Sequence, residues 1–453
     1  MPNCFGRAVI SVWLSAAVML PQANVRAQGI TVDGRLSPTQ TLAGPNYAIG
    51  AGLGRQVGGN LFHSFGAFGL KQGEAATFSG PPSVGNVIGR VTGGAVSSIN
   101  GRVSSTIPGA NLYLVNPAGV VFGPNASVDV SGSFHASSAD YLRMKDGARF
   151  QATNPEASTF SVAPPEAFGF LSANPRPVTV NGSTLQLPQG GTLGLVGGDV
   201  TISGGTLLAP AGTVHISSAA GPGEVPVDPR AGPSPTVARS GSVQVANTAT
   251  IYPQGGSVFI HAGDLSVSAS TIVTNNDIPG PGGVLSLRGD RTVTISDRAV
   301  VVASTTGTAR GPGISIGTAA GGTVTVDSVA TVATNAPASG EGGAVSISTG
   351  TLTLQNGAVV VSNATNSGHG GPINVAADSV RLDGPGTRIQ SQTDGTALLA
   401  TNNGLGPAGT GGTITLTGGT LSVQNRALIE ANTSSQGHSV LITRFREQVA
   451  DRS

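Results

Sequence analysis

The chain has 453 residues, a net charge of +1, 69 glycines, and only 10% charged and 4% aromatic residues. So few charges, against roughly 25% in ordinary globular domains, with no run of Lys or Arg, exclude the electrostatic footprint of a nucleic-acid binder. At 38% hydrophobic, mostly Val, Ile, Leu and Ala, the composition also excludes a disordered chain, and it points to a core of small side chains without aromatic anchors.

At the start of the chain, Arg7 precedes an apolar run over residues 8–20, and Val25 and Ala27 follow at the −3 and −1 positions of a cleavage site. The pattern predicts a secretory signal peptide over 1–27, with a buried N-terminal helix as the bland alternative. Its apolar run is too short to span a bilayer as a helix. The single cysteine, Cys4, lies in this leader, so the mature chain is expected to form no disulfide. No later segment reaches 18 unbroken apolar residues, so no transmembrane span is expected.

Residues 111–132, "NLYLVNPAGVVFGPNASVDVSG", are three short apolar pieces cut by two turns, 116–119 and 123–126. Asn116, Pro117, Ala118 and Gly119 suit a type I turn: Asn caps it, Pro presets φ, and Gly closes it. The stretch therefore predicts one coil of a β-helix with two corners, burying Leu112, Leu114 and Val121. Residues 154–171 break this pattern and are expected to pack outside the coil. Residues 219–241 hold five prolines, which cannot donate to a ladder; they predict a boundary or an out-looped insertion.

From Gly255 onward the sequence repeats. "GGVLSLRGDRTVTISDRAVVVASTTG", "GGAVSISTGTLTLQNGAVVVSNATNSG" and "GGTITLTGGTLSVQNRALIEANTSSQG" share one template. The second glycine recurs at 256, 283, 313, 343, 371 and 412, taking Gly313 as its equivalent in one unit. Self-similarity at a period of about 30 residues means a solenoid. Alternating apolar residues make it a β-solenoid, with three short strands per coil. A propeller is the structural runner-up, disfavoured by the scarcity of aromatics and the short period. Small polar residues at Asn276, Ser304, Asn335, Asn363, Ser391 and Asn432 are expected to stack in one column and bond along the axis. The long unit carries residues 393–409, read as a loop protruding from a corner. At about 25 residues and 4.8 Å per coil, the mature chain would make a rod of about 80 Å.

The division expected is therefore a signal peptide at 1–27 and an N-terminal domain at 28–222. A Pro-rich boundary with the first shaft coil follows at 223–254, then a Gly-Gly repeat shaft at 255–437. Residues 438–453 form an atypical tail charged at Arg444, Arg446, Glu447, Asp451 and Arg452, read as a truncation in preference to a cap.

The six histidines, His63, His135, His215, His261, His369 and His438, are scattered without metal-ligand spacing. The repeats lack the Gly-x-Asp pattern of calcium-binding β-rolls. Asp264, Asp297, Asp327 and Asp378 are solitary carboxylates at turns, which usually cap. His63 and Ser64 are adjacent on a strand and face opposite sides, so they form no nucleophile and base pair. Arg288-Gly289-Asp290 spells an integrin-type tripeptide at a strand-to-turn transition. No catalytic residue, metal or cofactor is expected; a polysaccharide-active enzyme on a β-helix is the rival class.

Several blocks in order resemble one family. They are "NLFHSF" (Asn60, Leu61, Phe62, His63, Ser64, Phe65), "NVIGRVTGGAVSSINGRV" at 86–103, "ANLYLVNPAGVVFGPNASVDVSGSFHASSA" at 110–139, and "LGLVGGDVTISGGTLLAPAG" at 193–212. Together they resemble the haemagglutination-activity domain, the secretion (TPS) domain of two-partner secretion exoproteins related to filamentous haemagglutinin. The likeness covers residues 29–222, and the repeats resemble the shafts of the same family. It implies an all-β, right-handed parallel β-helix that crosses the outer membrane unfolded. The partner implied is a TpsB-type β-barrel transporter with periplasmic POTRA domains. An Asn-Pro-Asn-Gly-type turn tied to export maps onto Asn116, Pro117, Ala118 and Gly119, departing at Ala118. The implied location is the cell surface or the extracellular space. Adhesion to a host, matrix or neighbouring-cell receptor is the implied role, with carriage of a missing C-terminal effector as an alternative.

Overall fold

The computed structural model describes residues 29–230, 236–276, 283–306, 310–336, 341–364, 370–393, 412–433, 440–443 and 447–450. The leader at 1–27, most of the protruding loop at 393–409, His369 and His438 lie outside them.

Short strands that alternate apolar and polar residues wind into a right-handed parallel β-helix with three walls. The first wall stacks Asn60–Gly69, Asn86–Val91, Asn111–Val115, Phe134–Ser137, Thr192–Gly197 and Thr213–Ser218, all in parallel register. The second stacks Ser97–Ile99, Val120–Phe122, Val178–Asn181, Val200–Ser203 and Ser242–Ala246. In the shaft these two walls run as single bent strands, such as Ser257–Ser268 and Val284–Ser296. The third wall stacks Asn46–Gly50, Ala75–Ser79, Arg102–Ser105 and Ser127–Asp129, then begins again at Thr184–Gln186 and continues to Leu428–Thr433.

Parallel pairing stacks like residues, so the interior is built of apolar columns. Leu61, Val87, Leu112 and Phe134 are successive members of one, each buried. Each such side chain contributes about 1.5–3 kcal/mol when fully buried. The front of the core is closed by Gly29–Val32 and Gly54–Val57, both antiparallel to Asn60–Gly69.

In residues 111–132 the inward members are Leu112, Leu114, Val120 and Phe122, whereas Val121 faces outward, half-buried. The alternation keeps its parity across the turn at 116–119, so the inward face resumes at Val120 and Phe122 and the expected burial of Val121 slips by one. The same slip corrects the polar column: the register is Asn275, Ser304, Asn335, Asn363, Gln392 and Asn432. Asn276 and Ser391 belong to its neighbours. In the glycine column Pro312 takes the place expected of Gly313, which pairs one position later with Val284. The column exists because of close approach: a Cβ on Gly283 would overlap the Gly256 carbonyl oxygen, and one on Gly343 that of Pro312.

Two insertions leave the coil at the same corner. Residues 138–177 separate Phe134–Ser137 from Val178–Asn181, and residues 219–241 separate Thr213–Ser218 from Ser242–Ala246. They build a four-stranded antiparallel side sheet: Arg149–Gln151, Tyr141–Met144, Pro165–Phe170 and Gly223–Pro226. Residues 154–171 thus pack outside the coil, as expected. The side sheet encloses a second apolar core with Phe62, Ile88, Tyr113, Leu142, Phe150 and Phe168. Arg143, paired with Glu166 of its own insertion, fastens the two insertions together through Glu224 at 2.8 Å.

Because these insertions run beside the rod, the coils climb less than the chain length suggests. Twelve successive parallel pairings on the first wall, at about 4.8 Å each, give roughly 58 Å, shorter than the rod expected. The charged tail continues the coil: Val440–Thr443 and Glu447–Ala450 both pair in parallel with Ile414–Gln424.

Between the second and third walls the shaft turns on pairs of left-handed residues. They are Asn247-Thr248, Asp297-Arg298, Ser328-Val329, Asn356-Gly357 and Asn425-Arg426, all with φ between 51° and 79°. Asn, Asp and Gly tolerate this region; Val329 does not.

Candidate functional site

The corner at 116–119 joins the first and second walls directly beside the side sheet. The Gly119 N–H donates to the Asn116 carbonyl at 2.9 Å, closing the turn, and the Ala118 N–H donates to Asn116 Oδ1 at 2.9 Å. Gly119 has φ 105°, and a Cβ there would press on the Pro177 carbonyl at 2.9 Å, so this position needs glycine. Asn116 is fully buried. Its Nδ2 donates to the Ala95 carbonyl at 2.9 Å and to Ser97 Oγ at 2.8 Å in the coil before. Its backbone N–H donates to the Ser137 carbonyl in the coil after. The asparagine therefore bolts three coils together, and what the corner offers outward is Pro117 and Ala118, both half-exposed. Pro117 lines a shallow recess with Asp140, Ser172, Asn174 and Arg176 of the first insertion.

The "NLFHSF" strand divides its residues between two cores. Leu61 and Phe65 point into the coil, and Phe62 points into the side sheet against Phe150 at 5.0 Å and Phe160 at 5.2 Å. His63 is buried beside Phe65 and Phe78, where burial pushes its imidazole down to about 4. Ser64 faces the other way, donating to Asp33 Oδ2 at 2.6 Å and accepting from Arg90 Nε at 2.8 Å. The expected separation of His63 from Ser64 holds.

Asn60 begins a ladder that composition did not reveal. Asn86 Nδ2 donates to Asn60 Oδ1 at 2.9 Å, Asn111 Nδ2 to Asn86 Oδ1 at 3.0 Å, and the Ser133 N–H to Asn111 Oδ1 at 2.9 Å. Asn60 itself donates to the carbonyls of Ser161 and Ala163 at 2.8 and 2.7 Å. Each of the three strands opens on Asn followed by an apolar residue, a signal visible in the sequence.

Arg90 was equally hidden. It is 1% exposed, and burial pulls its guanidinium down to about 10. It donates to Ser64 Oγ, to the Gln151 carbonyl at 2.6 Å and to Ser158 Oγ at 2.5 Å, and it lies 4.3 Å over the Phe150 ring. A buried cation with this many partners is a clamp between coil and insertion.

In the shaft, three carboxylates are held by neighbours. Asp290 accepts from Ser240 Oγ at 2.6 Å and lies 2.9 Å from His261 Nε2, so the acidic end of the Arg288-Gly289-Asp290 tripeptide is held by the coil. The tripeptide sits inside the strand Val284–Ser296, where it rounds a corner, and not where a strand ends. Asp264 pairs with Arg291 at 2.5 Å, and Asp327 accepts from Gln355 and Asn356. His135 and His215 are buried beneath the side sheet, and burial pushes their imidazoles down to about 3 and about 4. Among the described residues no group of His, Cys, Asp or Glu could hold a metal, and no helix is long and apolar enough to cross a membrane.

The family model of the TPS secretion domain matches residues 28–275, more than half of the chain. This chain belongs to the TPS secretion domain family. It is thus a two-partner-secreted exoprotein, and the blocks quoted from residues 60–139 are the front coils of its secretion domain. The matched stretch takes in both insertions and ends in the strand Thr271–Asn276. A solved structure similar to this chain is the HMW1 secretion domain from Haemophilus influenzae, at 16% identity and a TM-score of 0.49, covering 92% of this chain and 98% of that one. No curated protein matches it.

Proposed function

We propose that this TPS-domain protein is a non-catalytic adhesive rod, carried across the outer membrane by a dedicated β-barrel transporter with periplasmic POTRA domains. In this reading residues 1–27 direct it to the periplasm, 28–222 are addressed by the transporter, and 255–437 display a surface to a host, matrix or neighbouring-cell receptor. The family match over 28–275 is the observation that carries the proposal. A shaft whose outer walls are mostly small polar residues, with Asp264, Asp290 and Asp327 each tied to a neighbour, supports display over turnover.

The transporter element is assigned to the corner Asn116-Pro117-Ala118-Gly119. Buried Asn116 shapes this corner, and Pro117 and Ala118 are the atoms a partner could touch. The test is secretion of the full chain with its transporter, with culture medium assayed against periplasm. Wild type is expected in the medium and Asn116→Ile in the periplasm. Ala118→Asn, which leaves the buried bonds alone, is expected to be exported at least as well as wild type. Release of wild type without the transporter would sink the proposal.

A further inference from the structure

The outward side of the first wall changes character along the rod. In the front half one outward column reads Phe62, Ile88, Tyr113 and His135 in direct register. Past Phe259 in the first shaft coil, the same column reads Ser286, Ser315, Ser346 and Asn374. A shaft coil can therefore dock on its neighbour and leave only small polar groups of this column in water. Front coils that docked without the insertions would leave Phe62, Ile88 and Tyr113, one from each of three coils, in water.

What covers the front column arrives late in the chain. Phe150 and Phe160 pack on Phe62, and Phe168 lies 6.1 Å from His135. The partners of Asn60 lie 101 and 103 residues ahead, and those of Arg90 in the insertion lie 61 to 68 ahead. Gly223–Pro226 then completes the side sheet. Until these segments are present, the guanidinium of Arg90 lacks the Gln151 and Ser158 oxygens that permit its burial. The pairings between front coils are local, yet their stability depends on contacts of high sequence separation, which form slowly.

We infer that the front coils and the side sheet fold together in one late step, whereas shaft coils add one at a time. The covering insertion is a timing device: it holds the leading part of the chain open until well over a hundred residues more are available. On the export reading above, and only there, this keeps the leading segment extended while a transporter takes it.

The test is pulse-labelling hydrogen exchange on the full chain refolding from denaturant. Amides of 61–65, 87–91 and 112–115 are expected to gain protection together with those of 141–144 and 166–170. They should do so roughly tenfold more slowly than amides of 345–348 and 373–377. Protection of the front coils ahead of the side sheet would overturn the inference. A Phe62→Ser, Ile88→Ser variant, given a shaft-like outer column, should shorten the front coils' lag several-fold, and an unchanged lag would equally overturn it. Should this variant fail to fold, the wild-type order alone decides. No transporter is present, so this result is independent of the secretion assay.

Discussion

His135 lies face to face on Tyr113, with ring centroids 4.7 Å apart and planes within 3° of parallel. The next residue in register is Gly194, the one residue type that leaves room for the imidazole, since a Cβ there would overlap His135 Nδ1. The following one is His215. Tyr113, His135 and His215 all lie buried beneath the side sheet, so neither histidine can take up a proton without unpacking.

This burial sets a pH dependence. His63, His135 and His215 all have folded-state values held well below the ordinary 6.5, at about 4, 3 and 4. Above pH 6.5 both states are neutral and the stability is fully present. As pH falls below 6.5 the unfolded chain takes up protons that the folded chain refuses, and stability is lost down to about pH 4 for His63 and His215 and about pH 3 for His135. Each histidine contributes a slope approaching about 1.4 kcal/mol per pH unit. Urea midpoints should therefore drop steeply between pH 6 and pH 4.5, and His135→Phe should lessen the drop. A flat profile would count against neutral burial.

Arg90→Lys keeps the charge and loses the fork. Lysine cannot reach Ser64, Gln151 and Ser158 together, so buried acceptors are left unpaired, at about 2–3 kcal/mol. Urea denaturation should show this loss, and Arg90→Met should lose at least as much. A change below about 0.5 kcal/mol would mean that Arg90 is not a clamp.

Val329 holds φ 62° at an exposed shaft corner, and four of the five left-handed pairs avoid β-branching at this second position or place Thr there. Val329→Gly removes the steric cost and is expected to stabilise the shaft by about 1 kcal/mol, read as a higher thermal midpoint. Stabilisation by a glycine is unusual enough to make this a sharp test.

Gly283→Ala should be severely destabilising, because the new methyl would overlap the Gly256 carbonyl oxygen of the coil before it and neither backbone can yield. Gly52→Ala, where the added methyl meets nothing, should be close to neutral. Equal effects at the two sites, measured by limited proteolysis and thermal melting, would contradict the stacked glycine column.

The tripeptide at 288–290 is expected to be silent. Its aspartate is engaged by Ser240 and His261, so soluble integrin should bind the immobilised protein no better than an Arg288→Ala variant. Capture that depends on Arg288 would reverse this.

The coil was legible in the sequence because its causes are local. Alternation over four to six residues, a turn residue at each corner and a glycine at each close approach are all written within one repeat. The off-by-one placements of Gly313, Asn276 and Ser391 arose where corner lengths vary, since one residue more or less turns a side chain from one face to the other. That of Val121 did not, since Leu112, Leu114, Val120 and Phe122 keep one parity across their corner. The side sheet was not legible. Tyr141–Met144 pairs with its neighbour at 165–170 across a loop, and this in turn pairs with Gly223–Pro226, whose strand hides in a proline-rich run. Arg90 reads in sequence as one more solvated charge. Nothing within "NVIGRV" says that oxygens some 60 residues on will surround it.

The glycine column also governs how such a protein can change its length. Any block cut between Gly283 and its counterparts at 343, 371 and 412 begins and ends on the same backbone contact. Whole coils can thus be duplicated or lost without disturbing the joint, each altering the reach by about 4.8 Å. The front half offers no such cut, because every coil there is sewn to the side sheet. Inheritance can lengthen or shorten this molecule at one end while leaving the other fixed.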